Sequence, residues 1–348
     1  MGKNLAISVG KNRLVEVDAL RGLAALAVVL FHFTTRFTEL FSPDKLPTIS
    51  FPTGYYGVNL FFVISGFVIF MTLEKTTRPM DFVVSRFSRL FPAYWVAILL
   101  TFTITHMLGL PGKLVDLASA VGNIIMIHGL LFRIPSVDGV YWTLEVELLF
   151  YCGMFLLYRF RSLHLIHHAL IALLVLRLTY YGLDRVFGIE LSWTVYRFLI
   201  LKYIPWFSLG ISIYLMTSSR ENDWRGAALT SAIAIVSLLV VDSLFVASLA
   251  IFLGAAVFLA ASGQAALLRH PILVWLGTIS YPLYLLHENI GWSIQLRLGA
   301  LAVPIDLTVV VALAISLVMA TMLTYWVEQP CMRWIRNRYK SRLPKNAN

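Results

Sequence analysis

The chain has only two cysteines, Cys152 and Cys331, and neither sits in a motif. One falls inside a hydrophobic run and the other just past the last such run, which argues against a disulfide framework. Charge is also scarce: Asp, Glu, Lys and Arg make up 13% of the residues, about half the share of an ordinary soluble domain. No histidine or cysteine spacing matches the usual zinc sites, so no metal is expected. No glycine-rich nucleotide loop and no internal repeat is visible. A cleavable signal peptide is not expected either, because the first hydrophobic run follows a mostly polar stretch and precedes no small-residue cleavage site. That run is expected to stay as an anchor.

What the chain has in abundance is apolar surface. Of its 348 residues 59% are hydrophobic, and the mean hydropathy is +0.79, against about 45–50% apolar in globular chains. An all-α integral membrane protein is expected. Taking runs of about 17–25 residues as spans, ten transmembrane helices are expected, at 19–37, 57–73, 90–110, 143–158, 165–183, 198–216, 227–241, 244–261, 272–290 and 305–327. The segment 118–132 is short and interrupted by Gly122, Asn123, His128 and Gly129. It is expected to be re-entrant or to lie on the outer surface. Both termini are then cytoplasmic, and 19 of the 28 lysines and arginines fall on the inner side against 9 outside, as the positive-inside rule requires. Residues 1–348 read as one polytopic domain. Its basic cytoplasmic tail, 328–348, carries Arg333, Arg336, Arg338, Lys340, Arg342 and Lys345. The net charge of +10 is assigned to this asymmetry and to anionic membrane lipid, not to nucleic acid.

Polar residues inside such runs are costly, at about 2.5–3.5 kcal/mol per charge on insertion scales, and are functional candidates. Stretch 15–33, VEVDALRGLAALAVVLFHF, carries Arg21 and His32. Eleven residues are close to three turns, so both lie on one face about 16 Å apart, with Asp18, Ala25, Val28 and Arg36 near the same stripe. The structural alternative is that Arg21 snorkels to the headgroups and His32 sits neutral in a helix contact. Gly57, Ser65 and Gly66 would let the second span approach a neighbour closely. Arg86 and Arg89 are three residues apart at the inner surface, where paired guanidinium forks suit phosphate oxygens; topological anchoring is the alternative. Glu145 and Glu147 point to opposite sides of the fourth span. Glu147 lies about 3 Å deeper, needs a partner there, and is the stronger functional candidate. Ser280, Tyr284 and His287 follow the pattern of one helix face, with Pro282 as a possible kink. His287 falls in the outer half, as His32 does. His164, His167 and His168 cluster at an inner boundary, and His106, His128 and His270 lack spaced partners. Arg177, Arg185, Arg197 and Lys202 run against the charge rule at the outer connection between spans five and six, a pattern that suits an anionic ligand.

Together these residues resemble the acyltransferase family 3 membrane proteins, which include O-acetylases of lipopolysaccharide O-antigen, exopolysaccharide and nodulation factors. The resemblance rests on Arg21 and His32 as an Arg-x10-His motif, the segment Gly57 to Phe67, and Arg86 with Arg89 as Arg-x-x-Arg. It rests further on Trp142, Thr143 and Leu144 with Glu147, on Ser280 and Tyr281 through His287, and on Tyr325 through Glu328 to Pro330. Asn59 stands where an aspartate is usual, and Leu148 and Leu149 where the pattern is more polar; both bear on the acceptor surface rather than on the reaction.

The resemblance implies a cytoplasmic acyl-CoA donor, most simply acetyl-CoA, and a sugar hydroxyl of a lipid-linked or surface glycan as acceptor, in the bacterial inner membrane. Acyl transfer to a hydroxyl needs a base and a means of stabilising an oxyanion. His32 is the expected base, with Glu147 or His287 to orient it and Arg21 as contact for donor or oxyanion. Arg86, Arg89, Arg21 and Ser65 are the expected donor-binding residues. Direct transfer is preferred over an acetyl-imidazole intermediate. Two other classes compete: a lipid-linked sugar flippase, though internal repeats are missing, and a membrane cytochrome using His32, His106, His167 and His287 as haem ligands.

Overall fold

A backbone surrounded by hydrocarbon has no water to bond and must satisfy itself within each segment, which long apolar runs do by forming helices. The computed structural model describes residues 14–42, 46–218 and 224–343, and every regular element among them is helical. Lys345 of the basic tail lies outside the described residues. Eight helices are long and apolar enough to cross a membrane: α1 (Val15–Phe41), α2 (Pro52–Glu74), α3 (Pro79–Leu108), α4 (Gly139–Arg159), α5 (Leu163–Phe187), α7 (Trp224–Val241), α8 (Leu244–Ala261) and α11 (Ile305–Ser341). Two shorter apolar helices, α6 (Ile204–Thr217) and α9 (Pro271–Leu286), fall where the other two expected spans lie. A further helix, α10 (Glu288–Ala300), follows α9 directly. The protein is thus an all-α, multi-pass membrane protein.

Several boundaries differ from the sequence expectation. The run 272–290 is not continuous: its helix is interrupted at His287 and resumes at Glu288. Pro282 does not break it, since α9 continues through to Leu286. Helix α3 starts well before residue 90, so Arg86 and Arg89 lie on a helix about 45 Å long rather than in a loop. The tail continues as helix to Ser341, so most of it extends α11. Segment 118–132 forms two helices, Leu117–Gly122 and His128–Phe132, joined by a turn. Each is under 10 Å long, far short of the roughly 30 Å hydrocarbon core.

Small residues set the helix crossings. A Cβ on Gly277 would overlap the carbonyl oxygen of Asp18, and one on Gly22 the backbone of Gly277, so α1 and α9 touch main chain to main chain. Gly66 and Gly210 do the same for α2 and α6, against the carbonyls of Phe207 and Val63. This is the close approach that lipid-embedded helices use in place of a hydrophobic driving force.

The helices alternate in direction, giving the bundle two ends. At one, Arg269 Nε donates to Glu16 at 2.6 Å, the Tyr158 hydroxyl to the carbonyl of Thr76 at 2.8 Å, and the Tyr214 hydroxyl to Glu74 at 2.8 Å. At the other, Thr48 bonds Asp306 at 2.7 Å and the Asn289 amide donates to Asp138 at 3.1 Å. His32 belongs to the second end, and Arg86 and Arg89, in the first half of α3, lie toward the first.

Candidate active site

His32 sits on a local distortion. Residues Phe31–Arg36 of α1 form a π turn, a widening that recurs at functional sites. The His32 carbonyl takes the amide of Phe37 five residues on and also the indole N–H of Trp292 at 2.9 Å. The next carbonyl, of Phe33, takes Gln295 Nε2 at 3.0 Å. Trp292 and Gln295 are three apart on α10 and nearly fully buried, so this helix holds the widened turn from one side.

The imidazole is fixed as well. Its Nδ1 lies 2.9 Å from the Val28 carbonyl and 3.1 Å from Nε2 of His287. Nδ1 of His287 faces only carbonyls, Tyr284 at 2.8 Å and Leu283 at 3.2 Å, which accept. The network therefore assigns the His287 proton to its Nδ1 and leaves its Nε2 as an acceptor, so His32 carries its own proton on Nδ1. The bare nitrogen of His32 is Nε2, and 3.5 Å from it stands Oε2 of Glu288. A proton taken up at Nε2 would leave a positive charge next to that carboxylate.

Glu288 is packed from behind. A Cβ on Gly139 would overlap its carboxylate, so any larger residue there must displace that carboxylate. Asp138, fully buried, accepts from the amides of Asn289 at 3.1 Å and Val140 at 3.2 Å. Burial holds its carboxyl above the usual carboxylate range, partly offset by these two donors. Asn289 Nδ2 donates to the Val137 carbonyl at 2.8 Å. The chain before α4 is thereby tied to the α9–α10 junction. Thr143 and the Tyr284 hydroxyl, 3.0 Å apart, tie α4 to α9 one turn away.

Glu147 belongs to another cluster. It accepts from Ser65 at 2.9 Å and from the Tyr151 hydroxyl and makes no hydrogen bond or ion pair with His32. Of the two expected orienting groups the structure brings His287, and not Glu147, to the imidazole. Glu145 is buried and accepts from the amide of Gly129 at 2.6 Å, fastening the short helix His128–Phe132 to α4. Arg21 stands 4.0 Å from Asp18, toward the far end of α1. There Arg86, Arg89 and Arg336 share one electrostatic neighbourhood. Arg336 bonds Ser88 Oγ and the Ser85 carbonyl, each at 3.1 Å. Arg86 bonds Ser85 Oγ at 3.2 Å, while its Nε is buried without a partner. None of the three is ion-paired with a carboxylate among the described residues. In the sequence Arg336 stands out only as part of a basic tail; its place beside the Arg-x-x-Arg pair depends on the helical course of that tail.

Several other singled-out residues are engaged in contacts within the bundle. Arg177 is buried and pairs with Asp242 at 2.6 Å and with Ser237 Oγ at 2.7 Å. Ser280 bonds back to the Gly277 carbonyl at 2.9 Å. His106 bonds the Phe102 carbonyl of its own helix at 2.7 Å, and His167 bonds Thr230 at 3.1 Å. His32 and His287 touch directly, leaving no room for an iron between them, since two metal–nitrogen bonds need about 2 Å each. No group of three or more potential ligands that could hold a metal ion occurs among the described residues.

The fold and this site define a multi-pass membrane protein with a fixed imidazole pair against a carboxylate at one end and three arginines at the other. A family model described as "Acyltransferase domain" matches residues 14–328, and the chain belongs to that family. Among curated proteins it is similar to "Protein 2 in picA locus" of Rhizobium radiobacter, 33% identical over 34% of this chain and 64% of that protein. It is also similar to the "Exopolysaccharide production protein ExoZ" of Rhizobium meliloti (strain 1021), 28% identical over 29% of this chain and 33% of that protein. A third relative, ORF330 of Acidianus two-tailed virus, is named as a candidate acetyltransferase; it is 25% identical over 66% of this chain and 65% of its own length. The chain thus spans between 33% and 65% of the length of these relatives. No solved structure matches it.

Proposed function

We propose that this protein transfers an acetyl group from cytoplasmic acetyl-CoA to a hydroxyl of a surface or lipid-linked polysaccharide, across the bacterial inner membrane. The observation that carries the reading is His32, with Nδ1 occupied and Nε2 bare beside Glu288, in a chain of the acyltransferase family. In the proposed step Nε2 of His32 takes the proton of the sugar hydroxyl. The oxygen attacks the thioester carbonyl, and the tetrahedral oxyanion collapses by expelling the coenzyme A thiolate. The imidazolium then returns its proton to that thiolate. Glu288 neutralises the imidazolium while it lasts, and His287 keeps the ring in the tautomer that presents Nε2. Arg21, about 16 Å down the same helix, lies on the donor's path. Arg86, Arg89 and Arg336 supply forks for the nucleotide phosphates, and Ser65 with Glu147 and Tyr151 lies between the two ends.

Orientation follows from charge. With α6, and α9 together with α10, each counted as one crossing, the chain crosses ten times as one domain and both termini are cytoplasmic. Segment 118–132 stays on the outer side. This puts the three arginines where coenzyme A is made and His32 toward the glycan. Reporter fusions after Ile134 and Asn348 test it. A periplasmic signal at Ile134 and a cytoplasmic one at Asn348 are expected, and the reverse at either position overturns the topology. The function itself is tested by mass analysis of surface polysaccharide from cells with and without the protein, where loss of an O-acetyl group is expected and an unchanged glycan contradicts it.

A further inference from the structure

A cavity of about 270 Å³ opens beside the first turn of α4, between that turn and the connection from α5 to α6. Its wall is aromatic: Trp142 lies over Tyr203 with centroids 5.4 Å apart, and Trp193 stacks on Tyr196 at 5.2 Å and 12°. Two cations, Arg197 and Lys202, complete it. Both are exposed, and neither has an ion-paired carboxylate among the described residues. The carboxylate in the lining, Glu145, is buried and engaged by the Gly129 amide. Ile200, also in the wall, is buried at φ +48°, a conformation a β-branched residue rarely takes. Such strain clusters at ligand sites, and here it turns the chain between the two cations.

The cavity is linked to the candidate active site through α4. In the first turn of α4, Trp142 lines the cavity, while the next residue, Thr143, bonds Tyr284, whose carbonyl holds His287. The apolar faces of sugar rings stack on aromatic side chains, and a guanidinium fork matches a carboxylate. We propose that this cavity binds an acidic sugar residue of the acceptor chain, a carboxylate-bearing ring held between the aromatic wall and Arg197 with Lys202. The inference rests on the reading that a glycan acceptor approaches from the His32 end. Aromatic residues also gather at membrane interfaces as belts, but these four converge on one concave site with two cations, Lys202 lying over the Tyr203 ring at 5.7 Å and neither ion-paired with a carboxylate among the described residues. Of the same cluster in the sequence, Arg177 is spent on Asp242 and Arg185 lies outside the lining, which leaves Arg197 and Lys202 as the ligand-facing pair.

The test uses the full chain in detergent, with tetragalacturonate and its fully methyl-esterified form as probes, followed by tryptophan fluorescence or calorimetry. At an ionic strength of about 0.05 M the carboxylate form is expected to bind about ten-fold more tightly or better, the worth of one charge-assisted hydrogen bond. The gap should shrink at about 0.5 M. Arg197→Gln with Lys202→Gln should close it, while Arg185→Gln, outside the cavity lining, should keep it. Equal affinity for both probes, or a gap that survives the double substitution, overturns the proposal. So does binding of phosphatidylglycerol nanodiscs that needs Arg197 and Lys202 when tetragalacturonate does not bind; the cavity would then be a lipid site. Coenzyme A thiol release separates this from the parent reading. Acidic-probe binding without any acetyl-CoA-dependent release would strike the function and leave the cavity, and release with neutral-probe preference would strike the cavity alone.

Discussion

At the end of the bundle that holds His32, each imidazole nitrogen has a defined neighbour: Val28 and His287 on one side, Glu288 on the other. At the opposite end no ion pair holds Arg86, Arg89 or Arg336 among the described residues, Arg86 keeps a bare Nε, and Arg336 reaches only serine and backbone oxygens. The two ends ask different things of their side chains. A base that must remove a proton at one point in space works best when its ring and tautomer are fixed before substrate arrives. A site for a polyanion works best when its cations are clustered and unneutralised, so that the ligand supplies the missing charge. On this reading, substitutions at the first end change the rate of transfer and those at the second change the affinity for donor.

The largest effect is expected from His32→Ala, which removes the base while leaving the arginines in place. Acetyl transfer should fall by about 10² to 10⁴-fold, the usual share of a positioned base. A steady-state assay with saturating acetyl-CoA checks it, and a near-normal kcat would move the base to another residue. Next comes Arg86→Ala with Arg89→Ala. About ten-fold per lost charge-assisted contact, together about a hundred-fold, should appear in the KM for acetyl-CoA. Replacement by lysine should rescue only partly, because lysine lacks the planar fork. If the double variant binds coenzyme A normally, these arginines serve topology alone. Gly139→Ala is expected to act more gently, forcing a methyl group against Glu288 at a cost of about 1–3 kcal/mol for an overpacked site. The transfer rate should drop roughly ten-fold with an unchanged KM for acetyl-CoA; a shift in KM instead would mean the two ends are not independent. The smallest effect is expected from Trp292→Phe, which keeps the ring and deletes the hydrogen bond to the His32 carbonyl. About 1 kcal/mol, or a few-fold in rate, is the expected loss, and a loss as large as that of His32→Ala would make Trp292 more than a support for the π turn.

Much of the helical framework was legible in the sequence, because length and apolarity decide whether a segment can sit in a bilayer. The proximity of His32 and His287 was half-legible: both were placed in the outer half, but their direct contact depends on Gly22 and Gly277 letting α1 and α9 meet backbone to backbone. The π turn at Phe31–Arg36 was not legible, since the side chains that support it, Trp292 and Gln295, lie on another helix. Glu288 went unassigned because 272–290 was read as one continuous span; a charged residue next to His287 inside an apolar run was the signal available. Glu147 was expected to need a partner and has two, Ser65 and Tyr151, but periodicity within one helix cannot say which neighbour supplies it. The outer charge cluster is legible as an anomaly and splits only in three dimensions, into the buried Arg177–Asp242 pair, the cavity-lining Arg197 and Lys202, and Arg185 outside that lining.

The division between the two ends is tested most directly by measuring coenzyme A affinity and acetyl-transfer rate side by side, in His32→Ala and in the Arg86→Ala, Arg89→Ala variant, both as purified full-length protein. A crossed result is expected: His32→Ala binds coenzyme A as wild type does and transfers almost nothing, while the arginine variant binds weakly and recovers much of its rate at high donor concentration. If His32→Ala loses coenzyme A binding to the same degree as the arginine variant, the two ends form one site and the division of labour between them does not exist.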